Sequence, residues 1–123
     1  ILEGTDPSFW FLPLFVDLDK IRVSLDEFAE ALRAEGIPVG SRYTGAPMYE
    51  YIFIRERNSY GNSQCPWNCP LYGRQIEYSG SCPRAKDALN RVLTLPLHES
   101  CTEKEVEDVA EALRKVEKSY LKS

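Results

Sequence analysis

The tail of this chain, residues 91–123 (RVLTLPLHESCTEKEVEDVAEALRKVEKSYLKS), constrains its fold more than any other stretch. The apolar run from Val92 to Leu97 ends at Pro96-Leu97-His98, and a polar turn follows. Thr102 then opens a long amphipathic helix. Thr102 and Glu105 have the spacing of a capping box, in which each side chain satisfies a free N–H of the first turn. Val106, Val109, Ala110, Leu113, Val116 and Tyr120 recur every three or four residues and share one stripe. Acids crowd the start of this helix and lysines its end, which suits the helix dipole. A helix of about 20 residues is roughly 30 Å long. In a chain of 123 residues it must cover one whole face of any sheet present.

The rest of the chain supplies that sheet. Phe9 to Val16 (FWFLPLFV) reads as a strand covered on both faces, or as a strand with an edge kink at Pro13. Ser24 and Glu27 form a second capping box, and Leu25, Phe28, Ala29 and Leu32 make the buried stripe of the helix they open. Gly36 is its stop, and Ile37-Pro38-Val39 begins a short second strand. Ser41 to Pro47 is a loop. Met48 to Ile54 fits either an extended segment or one helical turn followed by loop. Arg55 to Ser81 is punctuated by Asn, Gly and Pro and reads as a long excursion of the functional kind. A helix from Pro83 to Val92, with Ala85, Ala88, Leu89 and Val92 inward, leads to the tail. This order predicts an α+β fold: a small, mainly antiparallel sheet with helices packed on one face, residues 1–123 forming a single domain.

Composition removes several functions. The net charge is −4 and no basic block stands out, so nucleic acid is not an expected partner. No apolar run reaches the length of a membrane span. The chain begins Ile-Leu-Glu-Gly and its one methionine is Met48, so it is expected to be a piece of a longer protein. Four cysteines, Cys65, Cys69, Cys82 and Cys101, are few enough for a cytoplasmic protein with reduced thiols. A Cys65–Cys69 or Cys65–Cys82 disulfide is an alternative. So is structural zinc with His98, although the chain has no second close pair of ligands.

His98 is the only histidine, so any Cys–His or Ser–His mechanism has to use it, and nothing nearby in the sequence supports one. The paired carboxylates fall mostly on helix surfaces and read as solvated faces. No glycine-rich phosphate loop is present. More suggestive is the cluster Arg42, Tyr43, Tyr49, Tyr51, Arg55, Tyr60, Trp67, Tyr72 and Tyr78, which joins stacking surfaces to hydrogen-bonding tips. Such residues can line a site for a polyhydroxylated ligand, or simply cover a core where regular structure is sparse.

Four segments occur in order: FLPLFVD, LDEFAEALRAEGIPV, RYTGAPMYE and CPRAKDALNRVLTLPLHESCTEKEVEDVAEALRKV. Together, from about Phe9 to Val116, they resemble the small C-terminal domain of the DegT/StrS family of pyridoxal-phosphate (PLP)-dependent sugar aminotransferases, which have the aspartate aminotransferase fold type I. The last segment is the most specific. Departures are Glu99-Ser100-Cys101 after the His, Ala85-Lys86 for the frequent Ala-Glu, and Thr44-Gly45-Ala46 inserted after Tyr43. Tyr49 stands where many members have His, and the Tyr51–Ser81 excursion is longer than in many of them.

The resemblance implies an enzyme that moves an amino group from glutamate or glutamine to a keto-sugar or keto-cyclitol. An active-site lysine holds PLP and shuttles the proton. None of Lys20, Lys86, Lys104, Lys115, Lys118 and Lys122 lies in the family's context for that lysine. The cofactor half, an N-terminal PLP-binding domain of the same protein, is therefore expected outside this chain. The chain is expected to hold no catalytic residue, cofactor or metal, and to be inactive alone. Arg42, Tyr43, Tyr49 and His98 are the implied substrate-binding residues, with Arg22 and Trp67 further candidates. The parent is expected to be a cytoplasmic homodimer. The rival expectation is a stand-alone ligand-binding or regulatory module with an aromatic pocket.

Overall fold

The computed structural model describes residues 3–61, 63–74, 77–78, 80 and 82–122. In chain order its elements are β1 (Phe11–Phe15), α1 (Leu25–Ala34), β2 (Gly40–Ser41), a 3-10 turn (Met48–Glu50), α2 (Ile52–Arg55), α3 (Pro83–Arg91), β3 (Val92–Pro96) and α4 (Glu103–Tyr120). The chain divides into two compact units, one of Ile1–Tyr43 with Asn90–Ser123, the other of Thr44–Leu89.

The first unit holds an antiparallel sheet in the order β1-β3-β2. Phe11 pairs with Pro96 and Phe15 with Val92, while Gly40 pairs with Thr94 and Ser41 with Leu93. β3 is central because its neighbours come from both ends of the chain's first half. Pro13 has no N–H to donate, and it sits on an edge strand where none is needed. Leu12 and Leu14 turn toward the helices, whereas Pro13 and Phe15 are exposed on the other side. The fold is thus α+β with α1 and α4 on one face of the sheet.

Both helices begin as the sequence requires. Ser24 and Thr102 are N-caps, each in a complete capping box with Glu27 and Glu105. The α1 stripe of Leu25, Phe28, Ala29 and Leu32 is fully buried. It meets Ile37, Val39, Leu93, Leu95, Ala112 and Val116 in one core. Each buried leucine there contributes on the order of 1.5–3 kcal/mol relative to an exposed one. Gly36 has φ +87°, the left-handed stop that ends α1.

Three details differ from the sequence reading. Ile37 and Val39 are not strand residues; they plug the core, and the pairing passes to Gly40 and Ser41. On α4 the buried positions are Ala112 and Val116, flanked by Val109, Leu113 and Tyr120, while Val106 is 61% exposed. The first turns of α4 project past the core, so the stripe begins at Val109. The α3 helix ends at Arg91 because Val92 joins β3. None of its residues is buried.

The end of α4 is clasped to the segment before α1. Ile21 bridges Leu121, the Arg22 N–H donates to the Tyr120 carbonyl at 2.9 Å, and the Lys122 N–H donates to that of Lys20 at 2.9 Å. Lys115 reaches Glu35 at the end of α1 at 2.5 Å.

In the second unit, Met48 to Arg55 is helical in two short pieces, so of the two readings left open the helical one holds. Pro47 is the only buried residue among its described residues, and no large core residue lies there. Met48, Ile52, Phe53, Tyr60 and Leu71 are exposed. Among the described residues no helix is long and apolar enough to cross a membrane.

Candidate functional site

Just past β2 the backbone does something that ordinary side chains disfavour. Arg42 and Tyr43 both have positive φ, 59° and 47°. The left-handed conformation costs a residue with a Cβ roughly 1–2 kcal/mol. Two consecutive cases persist only when their surroundings hold them, and such strain gathers at functional sites.

Four contacts hold this pair. The Arg42 N–H donates to the Val92 carbonyl at 3.0 Å, which prolongs the β2–β3 ladder. The Arg42 guanidinium donates to Asp26 Oδ2 at 2.5 Å, and Ser41 Oγ donates to Asp26 Oδ1 at 2.9 Å. The Tyr43 ring lies against Phe11 with centroids 4.7 Å apart and planes tilted by 41°. Asp26 is in the first turn of α1, where the helix dipole favours an anion. The hydrogen bond from Arg42, then that from Ser41, holds its carboxyl below the usual carboxylate range.

Beside Tyr43 is an open groove of about 470 Å³, lined by Trp10, Phe11, Gly40, Tyr43, Thr94 and Pro96 among others. Its floor requires glycine. A Cβ at Gly40 would stand 2.7 Å from Thr94 Oγ1, closer than real Cβ contacts come. Trp10 and Tyr43 are 86% and 59% exposed, so the walls present aromatic faces and a phenol to solvent. A groove of this kind can grip a ring through its C–H face and its hydroxyls, but it carries no group placed to move a proton.

The other residues singled out by the sequence lie elsewhere. β3 runs from Val92, beside Arg42, to Pro96, about 13 Å away along the strand, and His98 follows that far end. The His98 imidazole is exposed on the turn before α4, and its charge helps to hold the Glu105 carboxyl low, after the larger effects of Thr102. Arg22 is engaged at the end of α4, donating to the Ser119 carbonyl at 2.6 Å with its guanidinium 5.8 Å from the centre of the Tyr120 ring.

Tyr49 belongs to the second unit, where its hydroxyl donates to the Cys82 carbonyl at 3.4 Å. Next to it Lys86 pairs with Glu50 at 2.7 Å, which raises the lysine's pKa. A cleft of about 220 Å³ there is lined by Tyr49, Glu50, Arg55, Arg57, Glu77 and Tyr78, among others. A second cleft, of about 200 Å³, is lined by Pro66, Trp67, Tyr72 and Tyr78.

A lysine that holds PLP must give up its proton, which burial or a neighbouring cation promotes. All six lysines of this chain are exposed. Lys20, Lys86, Lys104 and Lys115 are each paired with a carboxylate, and Lys122 donates to the Asp19 carbonyl at 2.8 Å. These settings do not fit that task. Cys65, Cys82 and Cys101 are exposed free thiols and Cys69 is half-buried. Among the described residues no three His, Cys, Asp or Glu side chains gather as metal ligands.

Sequence reasoning missed Asp26, Gly40 and Phe11. Asp26 reads as an ordinary first-turn acid, and only the fold brings Ser41-Arg42 to it. Gly40 directly before Ser41-Arg42-Tyr43 was an available signal, because a glycine beside a charged aromatic pair marks close backbone approach.

No curated protein matches the chain. A model of the DegT/DnrJ/EryC1/StrS aminotransferase family matches residues 53–114.

Proposed function

The chain belongs to the DegT/DnrJ/EryC1/StrS aminotransferase family, and from that premise we propose that it is the substrate-side, C-terminal domain of a PLP-dependent enzyme. That enzyme moves an amino group from glutamate or glutamine to a keto-sugar or keto-cyclitol. The observation that carries the substrate side is the left-handed Arg42-Tyr43 pair, held by Asp26 and Phe11 at the rim of an aromatic groove. Strain held at one place by several contacts is what a preorganised binding edge requires.

When bound, PLP supplies the electron sink that makes amino transfer feasible. The exposed, ion-paired lysines here do not suit it, which supports placing the cofactor lysine in an N-terminal PLP-binding domain of the same protein. This chain's residues then bind and orient. Arg42 offers the part of its guanidinium not taken by Asp26, and Tyr43 its ring and hydroxyl; for Tyr49 and His98 a substrate role rests on the family resemblance alone. Their service is positioning and exclusion of water, and the chain alone is inactive. The exposed Met48, Ile52, Phe53 and Leu71 of the second unit and Phe15 of the first support a further domain that covers them, in a parent proposed to be a cytoplasmic homodimer.

The test uses the full gene product with PLP, 15N-glutamate and a panel of keto-sugars and keto-cyclitols. Transfer of 15N to one acceptor, with KM raised at least about tenfold by Arg42→Gln and kcat changed less, supports the reading. Transfer with an unchanged KM in that variant removes Arg42 from the site. No transfer to any acceptor removes the substrate class.

A further inference from the structure

On the helix side of the sheet, the far end of β3 and the first turns of α4 enclose an apolar socket of about 120 Å³. Ile37 and Leu95, both buried, form its floor with the half-buried Leu12. Leu97 and Val106 stand at its rim, 40% and 61% exposed. Cys101 and Glu105 are the lining residues with ionisable groups. We propose that this socket receives one apolar side chain of a separate partner protein, carried on a segment rich in lysine or arginine.

The apolar part of the claim comes from the lining. A small pocket with an apolar floor and apolar rim suits a single anchor side chain, the usual energetic centre of a short docked segment. The basic part comes from the charges around it. Residues 98–108 hold Glu99, Glu103, Glu105, Glu107 and Asp108 against Lys104, and Lys104 is paired with Asp108 at 3.0 Å. Glu105 lines the socket itself, its carboxylate accepting from the Thr102 N–H and hydroxyl at 2.7 and 2.8 Å. Glu103 lies one turn before Val106 on the same side of α4, and Glu99 lies in the turn closed by the Cys101 N–H and the His98 carbonyl. The other bases that the fold brings to this end of the unit are already matched, Arg33 by Glu30 and Lys115 by Glu35. What surrounds the anchor site is therefore acidic. It attracts lysine and arginine and repels nucleic acid or an anionic membrane surface. The inference goes beyond amino transfer and does not depend on it.

The full gene product carries its own reporter. Cys101 lines the socket, while Cys65 and Cys82 are exposed thiols outside it. Pulsed alkylation with N-ethylmaleimide, read by peptide mass spectrometry, gives the rate at each cysteine. The probes are synthetic peptides: a Leu-Phe pair between lysines, Ala-Ala between lysines, and Leu-Phe between glutamates. The first is expected to slow Cys101 saturably with Cys65 and Cys82 unchanged, and the other two to leave all these rates unchanged. Glu99→Lys with Glu103→Lys is expected to raise the peptide concentration needed about tenfold. Val106→Asp, at an exposed position, adds an acid yet is expected to remove the protection, because it sets a charge in the apolar site. Circular dichroism checks that both variants keep their fold. Equal protection by the Ala-Ala peptide, or tighter binding to the Val106→Asp variant, means that charge alone acts and overturns the socket. Protection by the glutamate peptide overturns the basic partner, and no protection by any peptide overturns the docking site. Cys101 unreactive before peptide is added, beside reactive Cys65 and Cys82, means that the rest of the protein fills the socket. A Cys101 rate that falls with protein concentration assigns it to a second copy. Either result overturns the separate partner.

Discussion

Tyr43 permits a test in which the sign of the effect, more than its size, carries the information. Tyr43→Ala and Tyr43→Gly both remove the ring and its contact with Phe11, so that loss, roughly 0.5–1.5 kcal/mol, cancels between them. What remains is the backbone at φ 47°. A Cβ there costs roughly 1–2 kcal/mol, against which glycine loses about 0.5–1 kcal/mol through its freer unfolded chain. Glycine is therefore expected to be the more stable by about 0.5–1 kcal/mol. On ordinary backbone alanine wins by a similar margin. Urea unfolding followed at 222 nm reads mainly α1 and α4, which belong to the same unit as Tyr43. With a slope of about 1.5 kcal/mol/M the midpoints should differ by roughly 0.3–0.7 M in favour of glycine. Alanine more stable than glycine would refute the left-handed turn, and with it the preorganised edge. The same pair at Arg42, φ 59°, should show the same sign.

Other outcomes follow from the core and from Asp26. Leu32→Ala, at a position with no exposure, should cost about 2–5 kcal/mol, while Val106→Ala on the projecting turns of α4 should stay within about 0.5 kcal/mol in the same urea assay. The Asp26 carboxyl is lowered from 3.8 on folding, by Arg42 first and then Ser41. A folded pKa below the unfolded one gives stability that is complete above the unfolded value and fades as pH falls through the folded one. Asp26→Asn should therefore flatten, without abolishing, the loss of stability measured from pH 5 down to pH 2.5, since Asp17, Glu27 and Glu105 are lowered too. An unchanged acid limb would mean that Arg42 does not hold Asp26 in solution.

What was legible in the sequence is what short-range chemistry decides. Ser24 with Glu27 and Thr102 with Glu105 close their capping boxes within three residues, so no tertiary knowledge is needed to place the two main helices. The Leu25-Phe28-Ala29-Leu32 stripe is equally local. The failures are long-range. Whether Ile37 and Val39 pair in a sheet or fill a core depends on where α1 and β3 meet, which periodicity over three residues cannot tell. Ala110 was put on the α4 stripe and Ala112 was not, since either alanine can flank Val109, Leu113 and Val116, and only the packing of α4 in the core makes Ala112 the buried one. Of the candidate site, Arg42 and Tyr43 were legible as a charged aromatic pair. Their anchor, Asp26, lies 16 residues earlier and becomes a partner only when β2 pairs with β3. On α3 the amphipathic spacing was legible, but only Ala88, Leu89 and Arg91 are half-buried and the other residues of the helix are exposed.

The proposed division of labour, in which this chain serves the substrate and another part of the protein holds the cofactor, is open to chemical labelling. Borohydride reduction of the full gene product purified with PLP, followed by peptide mass spectrometry, tests it directly. One pyridoxyl-lysine is expected, outside these 123 residues. A pyridoxyl group on Lys20, Lys86, Lys104, Lys115, Lys118 or Lys122 would contradict the division of labour, and no pyridoxyl-lysine anywhere would contradict the PLP enzyme itself.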